Sequence, residues 1–502
     1  MDKNRSRALR INVICGWASE LFALISGLIL PRLVLVAFGS SANGLVNSIS
    51  QFLGFSVVLR AGVGAVTRAA LFKPLAENDI DSVSAIMVAT RSYMRKVSLI
   101  IAGYIGLISV SYPFIANGEH SKLMMFVLVL IVGATTFVEN FFGIKAMILL
   151  QADQKYYIHT IFALISMIAA FAVSVLLIQL GFSLIVVKLG AMCCTFISPI
   201  LLNLYVRRHY KLNMSTKANN VVISQRWDAF AQQMAIVVNS NIPLVILTFF
   251  VDLKEVSVYT IHNMVVLNIK KVVETCVVGT NSAFGSMMAN GEEKELERSF
   301  KFIEWIYYAA STVVFSVTAI MFVPFIRIYT NSITDVNYIR PTFAFTMSFV
   351  ALVACMRVLC QNLVEAAGHF KQTRNGSIVE VIINICSSLI FVYFFGVIGV
   401  LFGMLVSSII RTIQYALYAT KNVLKISRWH VVRSMGVYVA TFLAIVLLGS
   451  LIKIPTDLNY LTWCAWALIS VVFAFVVVLI VSLVNNKTQV GELYTRFIKR
   501  KR

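Results

Sequence analysis

Apolar runs of about 20 residues recur along this chain from residue 11 to residue 484, and a run of that length is what an α-helix needs to cross a bilayer. There are too many of them for a signal peptide followed by a globular domain. The basic start, MDKNRSRALR, is followed by no A-x-A-like cleavage site after a short apolar core, so it reads as the start of the first helix. With 59% hydrophobic and 13% charged residues and a mean hydropathy of +0.84, the composition is far from the roughly 25% charged residues of a soluble domain. The expected fold class is an all-α polytopic membrane protein.

We place about fourteen transmembrane helices: 11–38, 43–71, 93–117, 122–150, 156–180, 182–206, 227–251, 256–289, 302–330, 341–368, 378–396, 397–420, 435–453 and 461–484. With the N-terminus inside, the cytoplasmic segments carry 29 Lys and Arg and the opposite side only Lys122, Lys254, Arg340 and Lys453. That bias puts both termini in the cytoplasm. A net charge of +21 could suggest nucleic acid. The basic residues are scattered through short loops, however, which topology and anionic membrane lipids explain better. The eight cysteines sit mostly in apolar segments without CxxC spacing, so neither a disulfide framework nor a metal site is expected.

The remaining ten cations lie inside the hydrophobic stretches: Arg32, Arg60, Arg68, Lys145, Lys188, Lys270, Lys271, Arg327, Arg357 and Arg411. A cation at mid-bilayer costs roughly 2.5–3.5 kcal/mol on the insertion scale, so most should face protein or a wet cavity. A positively lined cavity points to an anionic cargo carrying phosphate, which Arg meets with its planar fork and Lys as a point charge. Arg60, Lys270, Lys271, Arg357 and Arg411 lie nearest mid-membrane, and Lys145 joins them as a candidate for binding that cargo. Near helix ends, Arg32, Arg68 and Arg327 are better read as snorkelling. Lys270 has Glu274 one turn on, the spacing of an ordinary helix pair.

Buried carboxylates can exchange protons, the chemistry of ion coupling. Glu20, Glu139 and Glu274 are the candidates, whereas Asp228 and Glu304 are read as favourable charges at cytoplasmic helix starts. The polar loads of the second helix (Asn43, Asn47, Ser48, Arg60) and the eighth (His262, Asn263, Lys270, Glu274) put both on the pathway. Pro31, Pro243 and Pro324 are expected to break the first, seventh and ninth helices. Gly396, Gly399 and Gly403 read as close helix packing.

Three landmarks recur at a nearly constant offset. Pro31 precedes a turn, the polar second helix and AEND at 76–79; Pro243, 212 residues on, precedes a turn, the polar eighth helix and ANGEE at 289–293; and Lys155 and Lys371 are 216 apart. Two pseudo-symmetric six-helix bundles follow, related by an axis along the membrane normal. The expected organisation is a lobe over 1–210, a linker over 211–226, a second lobe over 227–420, and two additional helices with a basic tail over 421–502, around a central cationic cavity.

The runs LPRLVLVAFGSSANGLVNSISQF at 30–52, QADQKYY at 151–157 and AAGHFKQTRNGSIVEVIINICSSLIFVYFFGVIGVLFG at 366–403 resemble polysaccharide repeat-unit flippases of the multidrug/oligosaccharidyl-lipid/polysaccharide exporter superfamily. The resemblance implies alternating access. It also implies a cargo of undecaprenyl-pyrophosphate-linked oligosaccharide, moved from the inner to the outer leaflet for O-antigen, capsule or exopolysaccharide assembly. No cofactor is implied; a proton or sodium gradient would drive transport, with polysaccharide polymerase and chain-length proteins as candidate partners. Two alternatives within the superfamily are a multidrug/cation antiporter and a peptidoglycan-precursor flippase. The latter typically has an Arg-Asp pair where this chain has Ser19-Glu20. A membrane polysaccharide polymerase or ligase, the different-class alternative, would need a sizeable external loop; no such loop is expected here, so the chain is read as a non-enzyme.

Overall fold

The computed structural model describes residues 3–60, 63–77, 79–116, 119–210, 212–213, 227–277, 279–452, 454–487 and 489–491. Nearly all of the 211–226 linker and the basic tail from 492 lie outside these residues, as does the side chain of Asp228. Among the described residues the fold is all helical, without a strand. Eleven helical stretches there are long and apolar enough to cross a membrane, and the protein is a multi-pass membrane protein. One stretch, Ile14–Leu59, takes in most of the expected segment 11–38 and the first part of 43–71. The expected segments 227–251 and 256–289 are also helical, over Trp227–Phe250 for the first and over Leu253–Thr275 and Thr280–Ala289 for the second.

Contacts divide the chain into two compact units, Met1–Val258 and Tyr259–Arg502. The first begins with α1 (Lys3–Gly54), followed by α2 (Ser56–Leu59), α3 (Val63–Ala76), α4 (Ile80–Ile115) and α5 (Lys122–Val138). A π-helix, Glu139–Gly143, then leads directly into α6 (Ile144–Ala152), before α7 (Tyr156–Gln179), α8 (Leu184–Thr195), α9 (Ile197–His209) and α10 (Trp227–Phe250). Helix α11 (Leu253–Thr275) starts in this unit and continues into the second. The second unit adds α12 (Thr280–Ala289), α13 (Glu293–Tyr329), α14 (Pro341–Ala366), α15 (Phe370–Phe395), α16 (Val397–Tyr418), a π-turn over Ala419–Leu424, α17 (His430–Gly449) and α18 (Tyr460–Asn485).

Helix α1 would be about 78 Å long if straight, at 1.5 Å per residue, more than twice the roughly 30 Å hydrocarbon core. It turns at Gly39, where φ is 82° and ψ 174°, a conformation open to glycine and strained for any other residue. The prolines act differently from expectation. Pro31, Pro243 and Pro324 all lie inside continuous helices, because neighbouring helices in a membrane bundle tolerate the one lost hydrogen bond. Among the described residues, interruptions fall instead at Arg60, at the π-helix, at Phe196 and at Cys276 and Val277.

In the first unit, one core joins α1, α4, α5 and α8 through Leu45, Ile49, Ile101, Leu128 and Leu184; another joins α3, α4, α6, α7 and α9 through Leu71, Met87, Leu149, Ile158 and Leu202. Helix α10 and the first turn of α11, expected in the second lobe, pack here. Ser48 meets the Thr248 hydroxyl at 2.7 Å and Asn43 donates to the Ser257 hydroxyl at 2.8 Å. Two polar residues assigned to a wet pathway are thus spent on interhelical hydrogen bonds, which a buried hydroxyl or amide needs.

In the second unit α14 is the central helix, buried over most of its length among α12, α13 and α16. Tyr308, Phe315, Phe322 and Phe343 are fully buried around it. Helices α15 and α16 pack at close range: a Cβ at Gly399 would lie 2.0 Å from the Phe391 carbonyl oxygen, and one at Gly403 2.2 Å from Ser388 Oγ. Helices α17 and α18 lie against α13, where Trp463 donates to the Met321 carbonyl at 3.2 Å.

Candidate functional site: intramembrane charges and their partners

In the first unit the helix is interrupted at Arg60, whose own N–H caps α2 and whose guanidinium reaches the Asn140 amide oxygen at 3.5 Å. Asn140 is buried within the π-helix and its amide donates to the Thr136 carbonyl. Among the described residues Arg60 thus makes one long contact and is half-buried, which leaves most of its five donors available there. Arg68 is not snorkelling: it donates to Gln151 Oε1 at 2.9 Å, tying α3 to α6.

The QADQKYY segment that carries the family resemblance has a structural task at this end of the unit. Tyr210 donates a short hydrogen bond to Asp153, Lys155 pairs with Asp153 at 2.8 Å, and the Lys155 ammonium lies 5.4 Å from the Tyr210 ring centre. Burial opposes the charge on Lys155, but the hydrogen bond and charge of Asp153 outweigh it and hold the ammonium above the usual lysine range. Burial, reinforced by Asp153, pushes the Tyr210 hydroxyl above its ordinary value.

Lys145 lines a cavity with three cations that the sequence reading left in loops and helix ends: Arg91, Arg95 and Arg207. The signal that could have found them is the Arg91–Arg95 spacing, four residues apart on one face of α4. Lys188 on α8 and Arg32 on α1 are half-buried. Glu20 and Glu139, both coupling candidates, are exposed on this unit, Glu139 as the first residue of the π-helix.

The second unit partners its cations. Arg357 and Arg411 share one carboxylate: Glu380 Oε1 lies 2.6 Å from the Arg357 guanidinium and Oε2 lies 3.4 Å from Arg411 Nε. Arg411 is 2% exposed. Its other donors reach Gln414 Oε1, Ser377 Oγ, the Thr373 carbonyl and the Tyr415 hydroxyl at 2.6–3.2 Å, and its plane lies over the Tyr415 ring. The absence of a side chain at Gly376 makes this possible, since a Cβ there would fall 2.0 Å from the guanidinium. Lys270 pairs with Glu274 at 3.5 Å along α11, both part-exposed, while Lys271 is exposed and Arg327 half-buried. His262 is 1% exposed between Phe322 and Phe343.

Glu304 departs furthest from its sequence reading. It lies well inside α13 and is 2% exposed, with Oε2 3.5 Å from His430 on α17 and Oε1 without a hydrogen-bond partner among the described residues. A 260 Å³ cavity adjoins it, lined also by Lys301, Arg433, Tyr438 and Asn486. Helix α13 begins at Glu293 and not at the expected residue 302, which moves Glu304 from the helix start to its interior.

No protein-family model matches the chain, and no curated protein matches it. Solved structures do. A lipid II flippase, MurJ, in an inward closed conformation superposes with a TM-score of 0.70 at 15% identity, over 95% of this chain and 99% of that one. Two structures of a multidrug resistance MATE family transporter of the MOP superfamily, in different conformations, are also similar. The inward-facing one has a TM-score of 0.60 at 14% identity over 81% of this chain and 95% of its own; the outward-facing one has 0.58 at 11% over 84% and 97%. At such identities the likeness establishes a shared fold.

Proposed function

We propose that this protein is a flippase that carries undecaprenyl-pyrophosphate-linked oligosaccharide from the inner to the outer leaflet of a bacterial cytoplasmic membrane by alternating access. The observation that carries this reading is the extent of the fold likeness, 95% of the chain with a lipid II flippase against 81% and 84% with multidrug transporters. The charge inventory agrees: ten intramembrane cations suit a pyrophosphate, whereas a cationic drug calls for carboxylates and aromatics. Arg60, with one long contact among the described residues, and Lys270 and Lys271 on α11 are the residues assigned to the cargo; Arg357 and Arg411 remain on that list with the partners described above, and Lys145 with the three arginines that line its cavity. Glu20, Glu139 and Glu274 are assigned to ion coupling.

A second reading, transport of lipid II itself, is favoured by that same neighbour, a lipid II flippase. The test separates them. Liposomes holding the purified protein are loaded with a fluorescent undecaprenyl-pyrophosphate oligosaccharide or with fluorescent lipid II, and leaflet exchange is followed by an external quencher. Exchange of the oligosaccharide lipid, slowed about tenfold in Arg60→Ala by loss of one charged hydrogen bond, is the expected result. Exchange confined to lipid II selects the second reading, and exchange of neither overturns both.

A further inference from the structure

A cavity of about 630 Å³ opens within the first unit between α4, the π-helix, α6 and α9, in the range of roughly 300–1,000 Å³ typical of small-ligand sites. Arg91 and Arg95 of α4, Lys145 of α6 and Arg207 in the last turn of α9 line it, and no carboxylate does. None of the four pairs with a carboxylate among the described residues. Lys145 lies within the field of both Arg91 and Arg207, so the cluster repels itself until a counter-charge enters.

The rest of the wall is apolar, with Phe141, Phe142, Phe196 and Leu204 among it. Phe142 and Leu204 are 42% and 57% exposed, so an apolar face continues outward from the charged end. The π-helix shapes this wall, and Asn203 on α9 fastens it by donating to the Phe142 carbonyl at 2.9 Å and the Pro199 carbonyl at 2.7 Å. A site with four unanswered cations at one end and aromatic carbon at the other matches an amphiphile, not a free ion. Arginine forks and a lysine point charge match phosphate oxygens, and basic pockets between transmembrane helices hold lipid headgroups.

We propose that this cavity binds the phosphate of a membrane lipid, with its oxygens among Arg91, Arg95, Lys145 and Arg207 and its first chain carbons on Phe142 and Leu204. A glycerophospholipid and a polyprenyl phosphate share that chemistry. The proposal stands apart from the flippase reading, since it requires binding and not translocation.

The experiment is native mass spectrometry of the full chain released from detergent, titrated with phosphatidylglycerol, undecaprenyl phosphate or inorganic pyrophosphate. At least one of the two lipids is expected to bind, and whichever binds tighter names the source. Binding should weaken by at least about tenfold, one charged hydrogen bond or more, in the pair Arg91→Gln/Lys145→Gln. It should be retained in Lys145→Arg, which keeps the charge, and in the exposed-cation control Lys421→Gln/Arg428→Gln on the second unit. Melting temperature of each variant, read in the same detergent, separates lost binding from lost fold; should the pair fail to fold, Arg207→Gln on the last turn of α9 carries the same expectation. Unchanged lipid binding in a folded variant lacking these charges overturns the proposal. Pyrophosphate binding as tightly as either lipid, at the same residues, overturns it too, because the apolar wall would then contribute nothing.

Discussion

Glu380 answers two guanidinia with one carboxylate, and that makes it a residue on which the second unit's fold depends. Arg411 is almost fully buried and Arg357 largely so, so their charges need Glu380 more than a surface pair would. Removing one partner of a buried ion pair costs about 3–5 kcal/mol. Glu380→Gln should therefore lower the melting temperature of the detergent-solubilised protein clearly and reduce its abundance in the membrane. Lys270→Ala, by contrast, removes a part-exposed pair worth about 0.2–0.5 kcal/mol and should melt close to wild type. A Glu380→Gln protein that melts like the parent would mean that water reaches the two arginines.

At the scale of elements, glycine decides how closely helices approach and where they turn. The α15–α16 contact leaves no room for a side chain at Gly399 or Gly403, so Gly403→Leu must push the two helices apart. Overpacking of this kind costs about 1–3 kcal/mol and sometimes more. The expected outcome is early elution as aggregate in size-exclusion chromatography, while Gly436→Leu on α17, where a Cβ meets nothing within 4 Å, elutes normally. Equal behaviour of the two variants would contradict the close packing. The π-helix is the other deciding element. Its extra residue sets Phe141 and Phe142 on the wall of the cationic cavity and buries Asn140 against Arg60.

For the whole molecule, the open question of energy supply has a direct measurement. On the proposed reading, transport either draws on an ion gradient or equilibrates the cargo. In the first case a carboxylate must change protonation or bind sodium during the cycle. Glu20, exposed on α1 eleven residues before Pro31, is the candidate. In proteoliposomes with an imposed proton or sodium gradient, Glu20→Gln should flip cargo at a rate indifferent to the gradient while still binding it. Gradient-dependent flipping that survives the substitution would exclude Glu20, and flipping of the wild type indifferent to every gradient would point to passive exchange.

Hydropathy alone was enough to make this chain a helical membrane protein, because a 20-residue apolar run has few other ways to satisfy its backbone in lipid. It also flagged the intramembrane cations, and the glycines at 399 and 403 as packing positions. Which cations are partnered was decided only in three dimensions. Arg411 and Arg357 find Glu380 across 31 and 23 residues of chain, and Arg68 finds Gln151 across 83, separations at which no periodicity is visible. Asn43 and Ser48, polar enough to suggest a wet pathway, are consumed by Ser257 and Thr248 about 200 residues on. Arg91, Arg95 and Arg207 look like ordinary cytoplasmic charges in one dimension. They become a site only because α4, α6 and α9 bring them around Lys145, and a residue's partners depend on that packing and not on its type.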